Sequence, residues 1–209
     1  MSRPAPISTR QIAKEAVRAQ LAAVGYELLR REGFENVTID DLANAAGVSR
    51  TTFFRYFDRK EDVVLGAWDI EAGRIIDELL RRPADEEEWT SLRRALQQTV
   101  RGYAADPSGV LTLLRFIRGT PALWGGLLAK QSNWQPAAAQ ALAARGGSKR
   151  APTLSDSVLV SAGIGCYTVA LEHWVAADGQ LDFEVTLDEA FATIGARLDA
   201  ASPTPEGQQ

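Results

Sequence analysis

The amino-acid sequence predicts an all-α fold of about nine helices: a three-helix N-terminal head carrying a helix-turn-helix, then a longer C-terminal helical bundle. Three observations support this. Apolar residues recur every three or four positions along most of the chain, with no strand-like alternation. The breaks carry helix-start residues (Thr38, Ser49, Thr120-Pro121) and helix-stop residues (Gly33, Gly47). The 209 residues suffice for one small and one medium domain, at the usual roughly 100–200 residues each.

Taken in order, Ile12, Val17, Leu21, Val24, Leu28 and Leu29 place a first helix over Thr9–Glu32, closed by Gly33. Thr38 opens a second helix whose inner face is Ile39, Leu42 and Ala43. Gly47 turns the chain, Val48 fills the corner, and Ser49 opens a short third helix crowded by Phe53, Phe54, Tyr56 and Phe57. A long fourth helix starts near Lys60 and runs through Val64, Leu65, Trp68, Ile75, Ile76 and Leu79 to Pro83. The acidic run Asp85 to Glu88 either complements the dipole of a fifth helix or is a solvated turn.

The fifth helix, from Trp89 to about Ala105, carries Leu92, Leu96, Val100 and Tyr103. Asp106-Pro107 breaks it before a short sixth over Val110 to Arg118. Thr120-Pro121 opens a seventh that ends by Arg145, with a kink expected at Pro136. A loop of small and basic residues, 146–153, precedes an eighth helix from about Leu154 to Ala177. The ninth, from about Thr186 to Ala201, carries Leu187, Phe191, Ile194 and Leu198. The expected division is a head over 1–59, a bundle over 60–201 and a disordered tail over 202–209.

Two short helices around a tight glycine turn can place the second in a DNA major groove. Phe53 and Phe57, four apart, share one face and anchor that helix inward. Arg50, Thr51, Phe54 and Arg55 cannot all join that face and are expected to point outward. Arginine can grip a guanine edge with two bonds, and a threonine or an aromatic can touch a thymine methyl. Lys60 is placed to meet a backbone phosphate, a contact that positions without specifying. The plainer reading of the same residues is an ordinary pair of packed helices with solvated arginines.

The run GFENVTIDDLANAAGVSRTTFFRYFDRKEDV resembles the N-terminal domain of the TetR family of bacterial transcriptional regulators. The matching positions are Gly33, Phe34, Thr38, Ala43, Ala46, Gly47, Val48, Ser49, Phe53, Phe54, Tyr56, Phe57, Lys60 and Glu61. The resemblance is dense over residues 10 to 65. One departure is Phe54, where tyrosine is usual, so a hydroxyl contact is lost. The resemblance implies a DNA-contacting set of Thr38, Ser49, Arg50, Thr51, Thr52, Phe54, Arg55, Tyr56 and Lys60. It also implies a fourth helix that connects the head to the body.

Charge and composition agree with this. Residues 1–60 carry 10 Lys and Arg against 7 Asp and Glu, a net of +3, and the remaining residues a net of −7. A basic head directs nucleic acid to itself, although so small a surplus can arise by chance. The single Cys166 excludes an intramolecular disulfide, and with the single His173 it leaves no soft-metal ligand set, so neither metal nor cofactor is expected. No apolar run of the roughly 18–20 residues needed to span a bilayer is evident, and the start lacks a secretory core, which points to the cytoplasm. Arg3 or Arg10, in an arm ahead of the first helix, is a candidate for a further groove or phosphate contact. Two helical turns place Cys166 and His173 roughly 10 Å apart, too far for a nucleophile–base pair. With no phosphate loop either, an enzyme is not expected.

The eighth helix has Leu159, Ala162, Gly163, Cys166, Ala170 and His173 near one stripe and Ile164, Tyr167, Leu171 and Trp174 on another. A helix apolar on two sides needs cover on both, from a partner subunit or from its own chain. The resemblance implies a dimer interface from the eighth and ninth helices, here Leu159, Ala162, Gly163, Cys166, Ala170, Phe191 and Ile194. It also places an effector pocket among the fifth to eighth helices, here Tyr103, Leu113, Phe116, Ile117, Trp124, Leu127, Trp134, Tyr167 and Trp174. The same aromatics at helical spacing also suit a core. Arg115 and Arg118 can pair an acidic ligand group or stay solvated. From RFIRGTPALWGGLLAKQSNWQ onward the body resembles a subset of actinobacterial members, some of which respond to fatty acyl-coenzyme A.

The function expected is a homodimeric repressor that binds a palindromic double-stranded DNA operator and is released by a small, largely apolar or acyl-coenzyme-A-like effector. The alternatives are a constitutive DNA-binding regulator of the same fold, or an activator.

Overall fold

The computed structural model describes residues 9–103 and 106–201. Arg3 and the expected tail over 202–209 lie outside the described residues, as does the side chain of Leu198. Among the described residues there are nine α-helices and no strand. They are α1 (Thr9–Glu32), α2 (Ile39–Ala45), α3 (Arg50–Phe54), α4 (Glu61–Arg81), α5 (Glu88–Tyr103), α6 (Pro107–Gly119), α7 (Pro121–Ala144), α8 (Leu154–Ala176) and α9 (Phe183–Ala201).

Several element starts differ from the sequence reading, each for a capping reason. Asp106-Pro107 opens α6 rather than merely ending α5, because the Asp106 carboxylate accepts from the Gly109 N–H at 3.0 Å and proline suits the first turn. Asp182 likewise accepts from the Val185 N–H at 3.1 Å and starts α9 ahead of Thr186. Arg10 lies in the first turn of α1, not in an arm before it. α7 continues through Pro136 as one helical run.

Packing divides the chain into two compact units. The first extends to Ala67 and includes Thr120–Leu127; the second holds Trp68–Gly119 and the chain from Leu128 onward. The division falls within α4, whereas the helix-start signal near Lys60 lies ahead of it.

In the first unit, Leu21 and Leu29 of α1 are buried together with Leu42, Ala43, Phe53, Phe57, Val63 and Leu65. Gly25 permits close approach of α1, since a Cβ there would meet Val63 Cγ1 at 2.7 Å. Gly47, at φ +68°, makes the turn between α2 and α3 that other residues rarely adopt.

The second unit is built on α8. Its buried Val160, Ile164, Tyr167, Leu171 and Trp174 share one core with Leu92, Leu96 and Val100 of α5 and Phe183, Leu187 and Phe191 of α9. Gly163 lets α9 approach, with a Cβ there placed 3.3 Å from Phe191 Cζ. Asp188 of α9 accepts from both Arg93 and Gln97 of α5 at 2.8 Å, which fixes the register of the two helices. By length and composition alone, α8 is apolar enough to cross a membrane, contrary to the expectation that no such run is present. Interspersed Gly, Ala, Ser and Thr disguise it in the sequence. Its buried side chains belong to the core just described.

The acidic run before α5 is a cap and a clamp rather than a solvated turn. Glu87 accepts from the N–H groups of Trp89 and Thr90 at 2.8 and 2.6 Å. Glu86 accepts from Arg82 at 2.6 Å and Ser91 at 2.7 Å and also pairs with Arg94. Hydrogen bonds from Arg82, then from Ser91, draw the Glu86 carboxyl from its ordinary 4.5 down to about 2. Asp156 is lowered in the same direction, first by Arg150 and then by the Thr153 cap.

A depressed carboxylate pKa stabilises the fold in full above its unfolded value and loses that contribution as pH falls through the folded one. The second unit is therefore expected to weaken as pH drops from about 4.5 to about 2. Glu86→Gln should flatten this acid limb in circular dichroism melts at stepped pH, while lowering stability at neutral pH.

Candidate functional site

The third helix presents the split surface the sequence expects. Phe53 is fully buried and Phe57 nearly so, with ring centroids 5.0 Å apart. Ser49 caps the helix by accepting from the Thr52 N–H at 3.1 Å, and its hydroxyl also donates to the Thr52 hydroxyl at 2.9 Å. Opposite the phenylalanines, Arg50, Thr51, Phe54 and Arg55 are exposed and Tyr56 is half-buried. At the start of α2, Thr38 and Asp41 form a capping box, with Thr38 accepting from the Asp41 N–H at 3.2 Å and Asp41 accepting from the Thr38 N–H at 2.9 Å. The Thr38 hydroxyl also donates to the Asp41 carboxylate at 2.6 Å, and this bond, then the one from the Thr38 N–H, holds the Asp41 carboxyl below its usual range.

Two of the expected DNA-contacting side chains have partners within the chain. The Lys60 ammonium donates to the carbonyls of Phe34 at 2.6 Å and Val37 at 3.2 Å and lies 4.3 Å from the centre of the Phe34 ring. It ties the chain ahead of α2 to the start of α4 instead of standing free for a phosphate. Arg50 is held as well: Asp40 accepts from it at 3.0 Å, and its guanidinium lies 5.6 Å from the centre of the Phe54 ring. Sequence reasoning missed Asp40, because only the turn at Gly47 brings the first residues of α2 and α3 together.

In the second unit, α4, α5, α7 and α8 enclose a cavity of about 20 Å³, whose wall includes Trp68, Glu71, Thr99, Tyr103, Trp134 and Tyr167. A space of this size holds about one water molecule. Of the nine expected effector residues, it gathers Tyr103, Trp134 and Tyr167. Leu113, Phe116 and Ile117 on α6 do not line it, because α6 contributes no residue to its wall. Trp124 and Leu127 fall in the first unit. Trp174 borders a separate open cleft of about 340 Å³. Arg115 and Arg118 are paired with Asp178 and Glu172.

Four of the seven expected dimer residues are covered by their own chain. Gly163, Cys166, Ala170 and Phe191 are buried within their own chain, in the core of α5, α8 and α9, and Leu159, Ala162 and Ile194 pack against that core. The apolar side chains left outside are Leu154, Val158 and Val169 on α8 and Val185 on α9. His173 is exposed, and burial raises the Cys166 thiol above its ordinary value. Among the described residues, no group of His, Cys, Asp and Glu is placed to hold a metal.

Comparison with known proteins agrees with this architecture. The model for bacterial regulatory proteins of the TetR family matches residues 21–67, and that for the MftR C-terminal domain matches residues 86–199, more than half of the chain. This chain belongs to the TetR family. It is 28% identical over 186 residues to a protein of Mycobacterium tuberculosis named as the mycofactocin biosynthesis transcriptional regulator MftR, covering 86% of this chain and 89% of that one. It is 31% identical over 144 residues to the regulator TcmR of Streptomyces glaucescens, covering 66% and 64% of the two chains. Among solved structures, the Thermus thermophilus repressor FadR, in complex with lauroyl-CoA, covers 92% of this chain and 100% of its own, with a TM-score of 0.55 and 19% identity. That last likeness speaks for the fold alone. As a TetR-family helix-turn-helix transcriptional regulator, the protein is not an enzyme.

Arg50 and Asp40 give the reading surface a direct test. Arg50→Ala is expected to weaken operator binding by about tenfold or more, the worth of one two-pronged base contact. Asp40→Asn, which frees Arg50 and removes a negative charge beside it, should tighten binding about two- to fivefold. Fluorescence anisotropy on operator DNA at fixed salt reads both.

Proposed function

We propose that the protein is a homodimeric repressor that holds a palindromic operator through two copies of α3 and releases it when a small molecule binds the second unit. The observation that carries this reading is the third helix itself, where a fully buried Phe53 fixes a surface on which Arg50, Thr51, Phe54 and Arg55 are exposed. DNA-facing residues are then Thr38, Ser49, Arg50, Thr51, Thr52, Phe54, Arg55 and Tyr56. Lys60 acts by holding the head together.

The outward apolar stripe supports a dimer. Leu154 is 82% exposed, Val158 57% and Val169 49%, and these recur at helical spacing along α8, with Val185 of α9 at 53%. A run of this kind needs a partner to shed its water. A two-fold dimer also matches a palindrome, whose half-sites lie roughly 34–36 Å apart. A regulator that reads bacterial DNA works in the cytoplasm.

Release requires a ligand that prefers one conformer; a preference of about 2–3 kcal/mol shifts operator occupancy tens of fold. Because α4 supplies Val63 and Leu65 to the first unit and Ala72, Ile75 and Leu79 to the second, one helix is available to carry the change. One observation favours a second reading, a constitutive regulator without effector: the cavity has room for little more than a water.

Footprinting is expected to protect a palindrome of two half-sites. Val169→Asp should convert the dimer to a monomer by sedimentation and weaken operator binding at least about tenfold, since a charge replaces an interface side chain. A dimer unchanged by Val158→Asp and Val169→Asp together would remove this stripe from the interface.

A further inference from the structure

Thr99 lies on the buried face of α5, 5% exposed, and its hydroxyl has no hydrogen-bond partner among the described residues. A buried hydroxyl without a partner costs stability, and valine has the same shape without that cost. Thr99 lines the small cavity, whose wall also holds Tyr103, Tyr167 and Gln131.

The two tyrosine hydroxyls are 2.7 Å apart. Burial raises both, Tyr103 to about 12, so both keep their protons. One proton of the pair is used between them and the other remains to donate. Among the described residues of the wall, Glu71 is the only charged one, and it already accepts from Arg74 at 2.6 Å. An anion entering here would lose its water and find no cation in return.

Size sets a second condition. The cavity admits a head group of about one heavy atom, so the rest of a ligand needs other space. Tyr103 borders the open cleft as well, with Pro107, Trp174 and Phe183; its charged members are Asp182, Glu184 and Arg101, the last already paired with Glu184 at 3.1 Å. Movement of the one ring that borders both spaces would join them.

Resting on the reading of the second unit as effector-sensing, we infer that its ligand is an amphipathic molecule with a neutral, hydrogen-bonding oxygen at its head, an alcohol or carbonyl rather than a carboxylate. Thr99, Tyr103 and Tyr167 read the head, and the aromatic cleft holds the apolar body.

The test compares 1-octanol, octanoate and lauroyl-coenzyme A on the full chain. Binding is followed by tryptophan emission, to which Trp68 and Trp134 in the cavity wall respond, and operator release by anisotropy. The expected result is that 1-octanol binds about tenfold or more tightly than octanoate, the worth of one hydrogen bond against an unpaired group. Thr99→Val and Tyr167→Phe should each cut that preference to about threefold or less. Thr99→Val should also keep its fold, with a Tm equal to that of the parent or raised by about 2–4 °C. The inference is overturned if octanoate or lauroyl-coenzyme A binds as tightly as the alcohol, if neither variant changes the preference, or if no probe binds. Release of the operator equally by octanoate and octanol would sink the head-group assignment and leave the effector reading standing. Binding of octanol without operator release would do the reverse.

Discussion

The burial of Phe53 and Phe57 is the constraint on which the DNA-reading surface depends. A helix of five residues cannot hold itself in water, because nucleation costs more than its few internal bonds return. It persists here because two rings, 5.0 Å apart, are removed from solvent on one side and Ser49 satisfies an N–H at its start. Burying one such ring is worth roughly 1.5–3 kcal/mol, more than any exposed contact on this helix. The support extends behind the rings, where the Arg18 guanidinium lies 5.6 Å from the centre of Phe57. Every outward side chain takes its direction from these inward ones.

The second unit solves a different problem with the same means. A core made only of Leu, Val and aromatic side chains would let α5, α8 and α9 slide past one another. Polar bonds restrain α5 on two sides: Trp89 donates to the Phe191 carbonyl of α9 at 3.1 Å, and Arg145, itself buried in the turn after α7, donates to Ser91 and Glu88 at 2.7 Å. With register fixed, the face of α8 that looks inward and the face that looks outward are separated along its length. The inward face takes Gly163, Cys166 and Ala170, and the outward face keeps Leu154, Val158 and Val169.

The helices and the reading surface were legible because their signals are local. Thr38, Gly47 and Ser49 each act within a few residues, and the Phe53–Phe57 spacing declares its own face. What escaped depends on which helix covers which. Small residues on α8 suited a partner subunit as well as α9, and nothing along the sequence separates those two. Lys60 resembled a phosphate contact because its reach to the carbonyls of Phe34 and Val37 requires folding back across the head. The burial of Thr99 follows from spacing alone: Leu92, Leu96, Thr99 and Tyr103 form one continuous stripe, which puts a hydroxyl at a core position.

On the proposed reading of α3, the Arg50–Asp40 pair bears on how the head discriminates among sequences. Both partners are more than half exposed, so the pair itself contributes little, roughly 0.2–1 kcal/mol. A two-pronged arginine–guanine contact is worth about 1–3 kcal/mol of discrimination. Exchange of carboxylate for guanine is therefore favourable by a modest margin. A lone phosphate offers only a contact that positions, and approaching it brings Asp40 toward like charge. Breaking the pair costs the same whichever DNA group Arg50 then meets, so holding Arg50 in advance lowers affinity slightly and leaves the preference for a guanine in reach to the base contact itself. The restraint also limits the rotamers Arg50 must give up on binding, since the Phe54 ring already flanks it. Phe54, where the family usually has tyrosine, then acts as a platform for Arg50 in place of a hydroxyl donor.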